Sequence, residues 1–147
     1  MKLFIAGAGG FGREVAQMVS GSKFFSIEGF LDEDPALWGE SVDGVPVLGG
    51  DDVLESFEPK GGDYGVVPCI GNSEIRSRIY DGATRLGYEL PSIVHSRAYM
   101  AAGIQVGPAT IVYPGVVAMT GCSLGCGVLV NAGVTLGHDV QVGDFSN

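Results

Sequence analysis

Two adjacent residues near the C-terminus of the chain, His138 and Asp139, could carry out acid–base chemistry. An imidazole can accept a proton near neutral pH, and a neighbouring carboxylate can orient the ring and stabilise the imidazolium that forms. His138 is one of only two histidines in the chain. Because a single surface histidine is more often incidental than functional, the residue types alone leave this chemistry open.

A second candidate site lies near the N-terminus, where residues 7–12 read G-x-G-x-x-G. Backbone N–H groups of such a loop, together with a following helix N-terminus, can hold a diphosphate. Asp32 lies 20 residues beyond Gly12, where an NAD-binding fold places the acid that binds ribose. A nicotinamide-dependent dehydrogenase is therefore one alternative. It is weakened because roughly 100 residues of α/β pattern are too few for both halves of a dinucleotide-binding sheet.

The residues around this loop alternate between strand and helix patterns over residues 1–90. Apolar runs predict strands, and amphipathic or capped segments predict helices, one of them with Ser73 as its N-cap. The predicted strands span residues 3–6, 27–31 and 66–70, and the predicted helices span residues 13–20 and 73–86. Strands that alternate with helices favour a small parallel α/β sheet.

A different pattern, with a period of six residues, occupies residues 91–147. Nine apolar positions share one register: Val94, Met100, Val106, Val112, Ala118, Leu124, Val130, Leu136 and Val142. A second register, two residues earlier, holds small or β-branched residues, and a third holds glycines from Gly103 to Gly133 with Ala109 as its one break.

Six residues suit one short strand and a turn, with the apolar residue inside and glycine at a tight corner. Three such units would close a three-sided coil whose strands pair in parallel with those of the next coil. The spacing does not determine the handedness of this coil. It places His138 on an outward corner, and a glycine-rich antiparallel barrel or sandwich is the alternative fold.

Composition excludes several classes of function. The 147 residues carry a formal charge of −9 with a pI near 4.4, so neither nucleic acid nor a membrane surface is an expected partner. No apolar run approaches the roughly 18 residues of a membrane span, which predicts a cytoplasmic protein. The three cysteines are expected to be buried free thiols, and two histidines are too few for a three-histidine zinc site, so no metal is expected.

The hexapeptide series resembles the [Leu/Ile/Val]-Gly-x-x-small-x repeat of the left-handed β-helix acyltransferases. Additional motifs make the resemblance more specific: residues 5–15 (IAGAGGFGREV), 30–32 (FLD), 70–72 (IGN) followed by Arg76, and 131–139 (NAGVTLGHD). Together they resemble the sugar O-acyltransferase and nucleotide-sugar N-acetyltransferase family (NeuD/PglD-like). The resemblance implies a small Rossmann-like nucleotide-sugar-binding domain at 1–90 and a left-handed parallel β-helix at 91–147. Family members usually continue for several more coils, so the chain is expected to be C-terminally truncated.

The same resemblance implies the chemistry and the site. Acetyl-CoA is the expected co-substrate, and His138 with Asp139 is expected to take the proton of a sugar amine or hydroxyl during direct acyl transfer. Nucleotide-sugar contacts are expected from Gly9, Gly10, Phe11, Gly12, Arg13, Asp32, Asn72, Arg76 and Asn131. Asn147 stands where some relatives carry a histidine that contacts the acyl donor. A homotrimer with the CoA groove between neighbouring subunits is also expected.

Several structural alternatives accompany these assignments. Arg76 is equally compatible with a solvated helix face, and Asn131 with a tight corner in the left-handed conformation. His95 is interpreted as structural. For the whole chain, the alternative to an acetyltransferase is a non-catalytic module that binds a nucleotide or a nucleotide sugar.

Overall fold

The computed structural model describes residues 1–59 and 62–147. The chain divides into two compact units, Met1–Leu90 and Pro91–Asn147. No helix in the described part of the chain has the length and apolar character needed to cross a bilayer.

The first unit is an α/β domain built on a five-stranded sheet. Its elements are β1 (Lys2–Ala6), α1 (Gly10–Val19), β2 (Ser26–Leu31), a 3-10 helix (Pro35–Leu37), β3 (Ser41–Val42), β4 (Val45–Gly49), a second 3-10 helix (Asp51–Ser56), β5 (Tyr64–Pro68) and α2 (Ser73–Arg85). The strand order is β3-β4-β2-β1-β5, and all pairs are parallel except β3 with β4.

The core of this unit lies around the central strand, as expected for a parallel sheet covered on both faces. Leu3, Phe4 and Ile5 are consecutive in β1 and all fully buried, which requires apolar packing above and below the strand. Phe4 shares one apolar cluster with Ile79 and Ala83 of α2. The parallel sheet places the C-terminal ends of β1, β2 and β5 along one edge, where candidate site residues follow each strand.

The N-cap of α2 differs from the prediction. Asn72, not Ser73, has the extended backbone of a cap, and its Oδ1 accepts hydrogen bonds of 3.0 Å from the N–H groups of Glu74 and Ile75. Ser73 is the first helical residue. Asparagine is among the strongest capping residues, so the motif that suggested a ligand contact at Asn72 also has a structural role.

Two strands of this unit, β3 and β4, were not predicted. They form a hairpin whose two-residue turn, Asp43 and Gly44, has positive φ at both positions (50° and 82°). This is the geometry of a type I′ turn, for which Asp-Gly between two β-branched residues is a strong sequence signal. The signal is present at Val42 and Val45, so it was available from the sequence.

The second unit contains nine two-residue strands, one every six residues. They are β6 (Ile93–Val94), β7 (Tyr99–Met100), β8 (Gln105–Val106), β9 (Ile111–Val112), β10 (Val117–Ala118), β11 (Ser123–Leu124), β12 (Leu129–Val130), β13 (Thr135–Leu136) and β14 (Gln141–Val142). They form three parallel sheets of three strands, β6-β9-β12, β7-β10-β13 and β8-β11-β14.

The chain visits the three sheets in turn, so each residue pairs with the residue 18 positions later. Val94 pairs with Val112, and Val112 with Val130. Every strand pairing within residues 91–147 is parallel, so the alternative of an antiparallel barrel or sandwich is wrong.

The corners of this unit repeat a left-handed backbone conformation every six residues. Eight corner residues within residues 91–147 have φ between 56° and 83°: Gly103, Ala109, Gly115, Gly121, Gly127, Gly133, Asp139 and Phe145. The predicted glycine register therefore continues through Asp139 and Phe145. Left-handed geometry is unfavourable for residues with a Cβ, so the surrounding coil must impose it there.

The inward register is buried in the middle coil but not at the first strand. Val112 and Ala118 are fully buried, and Leu124 and Val130 nearly so. Val94, in the first strand of the unit, is 42% exposed and does not follow the inward prediction.

Candidate active site

His138 and Asp139 form a hydrogen-bonded pair on an exposed corner between β13 and β14. The imidazole Nδ1 lies 2.8 Å from Asp139 Oδ2, and the two side chains are 85% and 77% exposed. Because a carboxylate can only accept, the shared proton is assigned to Nδ1, which leaves Nε2 as an acceptor. The pair therefore presents a basic nitrogen to solvent, as a general base requires.

The backbone beneath this pair is strained. Asp139 has φ 62° at a corner where five of the preceding six corners carry glycine. A residue with a Cβ in the left-handed region adds conformational energy, and such residues often occur at functional sites. Here the left-handed residue is the one whose carboxylate contacts His138.

The glycine-rich loop joins β1 to α1 and contains glycines of two kinds. Gly7 has φ 111° and packs against the backbone of Cys69, and a Cβ at Gly12 would overlap the Gly7 carbonyl oxygen. At Gly9 and Gly10, an added Cβ would meet nothing within 4 Å. Gly7 and Gly12 thus permit close packing, while Gly9 and Gly10 leave an open approach to the start of α1. Phe11 lies in the first turn of that helix.

Asp32 connects the end of β2 to this loop. Its Oδ2 accepts a hydrogen bond of 2.9 Å from the Ala8 N–H, and its Oδ1 accepts one of 3.0 Å from the Asp34 N–H. Gly7 in turn lies beside Ile70 after β5, since a Cβ at Gly7 would come within 2.9 Å of the Ile70 Cδ1. The structure therefore brings the segments that follow β1, β2 and β5 together, as the parallel sheet predicts.

Arg13 is exposed and contacts the tip of the β3–β4 hairpin. Its Nε lies 2.7 Å from Asp43 Oδ2, and its Nη2 lies 3.2 Å from Asp43 Oδ1. This bidentate carboxylate contact raises the pKa of the Arg13 guanidinium. Both residues, with Gly10, Glu14 and Gln17, line a depression of about 280 Å³ beside the glycine-rich loop.

Arg76 is 1% exposed, so the alternative of a solvated helix face is wrong. Its Nη1 donates to the carbonyl oxygens of Ile70 and Gly71, at 2.7 and 3.2 Å. Burial lowers the pKa of its guanidinium. Arg76 therefore holds the turn between β5 and α2, and Asn72 caps the helix from that same turn.

Asn131 and Asn147 are both exposed. Asn131 follows β12, and its carbonyl accepts a hydrogen bond from the Val134 N–H. Its φ does not lie in the left-handed region, so the left-handed corner alternative is wrong; the corner is at Gly133. His95 Nδ1 accepts a 3.0 Å hydrogen bond from the Arg97 N–H, a turn contact that agrees with a structural role.

Trp38, which sequence reasoning did not single out, stands beside Asp32. Its indole N–H donates to the Asp32 carbonyl oxygen at 2.7 Å, and the side chain is 48% exposed. It is the only tryptophan in the chain. The sequence could have suggested that Trp38 lies near Asp32, because it follows Asp32 by six residues with a Pro-containing turn between them.

A larger cavity, of about 430 Å³, lies between the second 3-10 helix and α2. Asp51, Arg78 and Arg85 are among its charged lining residues. Burial and the charge of Glu33 raise the pKa of the Asp51 carboxyl group. No group of three or more potential metal-ligating side chains occurs among residues 1–59 and 62–147.

Residues 2–83 match the PglD N-terminal domain family. The acetyltransferase domain of PglB from Neisseria gonorrhoeae, solved with acetyl coenzyme A, is 31% identical, with a TM-score of 0.86 over 98% of this chain and 68% of that one. PerB from Caulobacter crescentus, solved with CoA and GDP-perosamine, is 25% identical, with a TM-score of 0.87 over 99% of this chain and 67% of that one. WeeI from Acinetobacter baumannii AYE, at 21% identity, shares the fold with a TM-score of 0.78.

These comparisons define an α/β domain followed by parallel sheets of the kind found in acetyltransferases, so the expected enzyme class, an acyltransferase, is confirmed. The chain belongs to the PglD N-terminal domain family, as the sequence motifs indicated.

Proposed function

We propose that this protein transfers the acetyl group of acetyl-CoA to an amino or hydroxyl group of a nucleotide-linked sugar. Membership of the PglD N-terminal domain family supports this, as do the acetyl-CoA bound to PglB and the CoA and GDP-perosamine bound to PerB. The observation within this chain that carries the proposal is the exposed His138–Asp139 pair with its 2.8 Å contact.

The proposal includes an architecture for each unit. Residues 1–90 form a Rossmann-like nucleotide-sugar-binding domain, and residues 91–147 form turns of a left-handed parallel β-helix. The second assignment is supported by three parallel sheets visited in turn, with paired residues 18 positions apart. A homotrimer is the proposed assembly, with the acyl-CoA groove between neighbouring subunits.

In the proposed mechanism, His138 Nε2 accepts a proton from the sugar amine or hydroxyl as that group attacks the thioester carbonyl carbon. The tetrahedral intermediate then collapses, the carbon–sulfur bond breaks, and the imidazolium returns its proton to the CoA thiolate. Asp139 keeps Nδ1 protonated and stabilises the imidazolium while it exists.

The proposed nucleotide-sugar contacts come from the edge where β1, β2 and β5 end. Gly9 to Gly12 and Arg13 bind the diphosphate, an interaction supported by the open approach at Gly9 and Gly10. Asp32 shapes the loop and lies near the ribose or base. Arg76 acts by holding the turn that carries Asn72. In the second unit, Asn131 contacts the sugar and Asn147 the acyl donor.

The test is release of CoA thiol when the protein is given acetyl-CoA and amino-sugar or hydroxyl-sugar nucleotides. His138→Ala should lower turnover by about 10²- to 10⁴-fold, the usual contribution of a general base, while binding of the nucleotide sugar is unchanged. His95→Asn is the matched control, because asparagine can still accept the hydrogen bond from the Arg97 N–H.

Full turnover by His138→Ala would remove this residue from the mechanism. Binding of nucleotide sugars without any thiol release would instead favour a non-catalytic binding module. Titration with NADH tests the dehydrogenase alternative, and no binding is expected, because the α/β unit Met1–Leu90 is too short for both halves of a dinucleotide-binding sheet.

A further inference from the structure

The His138–Asp139 corner lies directly above Gly121, the corner residue 18 positions earlier. A Cβ at Gly121 would overlap Asp139 Oδ1 and would lie 3.2 Å from its Cγ and 3.4 Å from its Cα. The Asp139 carboxylate therefore occupies space that exists only because residue 121 has no side chain.

One other left-handed glycine within residues 91–147 has such a neighbour, since a Cβ at Gly127 would lie 2.5 Å from two ring atoms of Phe145. The remaining three do not have this requirement. An added Cβ at Gly115, with φ 75°, would come no closer than 3.7 Å to Gly133 in the next coil. At Gly103 and Gly133 it would meet nothing within 4 Å. These glycines satisfy the backbone conformation alone, whereas Gly121, with φ 79°, also accommodates a functional side chain.

Hydrogen bonds from the preceding coil fix the backbone on both sides of His138. The Asp139 N–H donates to the Thr120 carbonyl oxygen at 2.9 Å. The Cys122 thiol donates to the Gly137 carbonyl oxygen, also at 2.9 Å. Because these contacts resist a backbone shift, a methyl group at residue 121 would be relieved mainly by rotation of the Asp139 side chain.

The Asp139 side chain is free to rotate into solvent, since it is 77% exposed. Rotation into solvent would separate Oδ2 from His138 Nδ1 and leave most of the coil undisturbed. A substitution at Gly121 should therefore act on the pair much more than on the stability of the fold.

We propose that Gly121 is a positioning residue for catalysis. Because it has no side chain, it leaves room for the Asp139 carboxylate, which keeps the proton on Nδ1 of His138. This inference rests on the proposed function of His138. It adds a residue from the preceding coil, which touches neither substrate nor the reacting atoms.

The test compares Gly121→Ala with Gly115→Ala. Both variants place alanine at a left-handed corner of nearly the same φ, so their conformational strain is matched, and only Gly121→Ala meets a carboxylate. We expect kcat of Gly121→Ala to fall about 10²-fold, the size of effect that misplaced catalytic groups produce, with KM for the nucleotide sugar within about 2-fold. Gly115→Ala should resemble the unmodified protein in both quantities.

A second readout does not depend on turnover. The ¹⁵N chemical shifts of the neutral His138 ring report which nitrogen carries the proton. The unmodified protein and Gly115→Ala should show protonated Nδ1, and Gly121→Ala should show a mixture of both tautomers. Identical ring shifts and kcat in the two alanine variants would overturn the role of Gly121.

Removal of the carboxylate provides the rescue test. In an Asp139→Gly background, adding Gly121→Ala should change kcat no more than adding Gly115→Ala does. If Gly121→Ala alone fails to fold, the double variant with Asp139→Gly should fold, and its failure would contradict the proposal. Full turnover by His138→Ala would instead remove His138 from the proposed mechanism, while the ring shifts would still test whether Gly121 positions Asp139.

Discussion

The carboxylate of Asp32 accepts a hydrogen bond from the backbone N–H of Ala8, at 2.9 Å, and so joins the end of β2 to the glycine-rich loop. Its other oxygen accepts from the Asp34 N–H. In dinucleotide-binding folds, the acid at this position binds a ribose hydroxyl. Here it shapes the loop that we propose to hold the diphosphate.

Replacing Asp32 should therefore change both stability and binding. Asp32→Ala removes two hydrogen bonds to a charged acceptor, and we expect the free energy of unfolding to fall by about 1.5–3 kcal/mol. Asp32→Asn keeps one acceptor oxygen and should lose less. Chemical denaturation measures stability, and calorimetric titration with a nucleotide sugar measures affinity. Glu33→Gln, the same change of charge one residue later, is the control, and equal losses in Glu33→Gln and Asp32→Asn would contradict the loop-shaping role.

Trp38 should report ligand binding through its fluorescence. The indole donates to the Asp32 carbonyl oxygen and is half-exposed, so a ligand at the end of β2 will change its surroundings. Because the chain has one tryptophan, the signal is unambiguous. We expect a nucleotide sugar to shift the emission with the same Kd that calorimetry gives, and Trp38→Phe to abolish the signal. Calorimetric binding without a change in emission would place the ligand away from Asp32.

Two substitutions of Asn72 separate helix capping from ligand binding. Asn72→Ala removes the acceptor for the Glu74 and Ile75 N–H groups and should lower the free energy of unfolding by about 1 kcal/mol. Asn72→Asp keeps the cap and should retain stability. If the side-chain amide also contacts the nucleotide sugar, Asn72→Asp will bind it more weakly. Unchanged affinity in a stable Asn72→Asp protein would restrict Asn72 to capping.

The raised pKa of Asp51 predicts a pH-dependent stability. Burial and the charge of Glu33 disfavour the Asp51 carboxylate, so the folded protein holds this proton to higher pH than the unfolded chain does. The contribution of Asp51 to stability is therefore greatest below the unfolded carboxyl pKa of about 3.9 and declines as pH rises through the folded pKa.

Asp51→Asn should consequently raise the free energy of unfolding at pH 7, and this gain should disappear below about pH 4. Thermal unfolding at both pH values measures the difference. Asp52→Asn, at the exposed neighbouring acid, is the control. A destabilised Asp51→Asn protein at pH 7 would show that attraction to the positive charge of Arg78 outweighs the effect of burial.

The periodic parts of the fold were predictable because spacing alone determines them. An apolar residue every six positions predicted strands that recur every six residues and pair in parallel. The glycine register could be read only to Gly133, because its continuation at Asp139 and Phe145 follows from the coil and not from residue type. The β3–β4 hairpin was missed even though its Asp43-Gly44 turn is a recognisable signal.

The candidate site was predictable in part, where a single register or motif identifies the residue. His138 follows from its position after Leu136 in the repeat. The burial of Arg76 could not be predicted, because its partners are carbonyl oxygens of a turn whose conformation the sequence does not reveal. The role of Gly121 could not be predicted either, since it depends on the side chain that lies next to it in the following coil.

Because the corners share one left-handed backbone conformation, the His–Asp pair could also be built at another corner of the coil. Ala132 and Gly133 occupy in their repeat the places of His138 and Asp139, and Gly115 leaves room beneath them as Gly121 does. The two substitutions Ala132→His and Gly133→Asp together would create the same hydrogen-bonded pair at the neighbouring corner. The repeated backbone thus fixes the geometry of the pair at whichever corner carries it. Evolution could therefore move a proton acceptor from one corner to another by two substitutions.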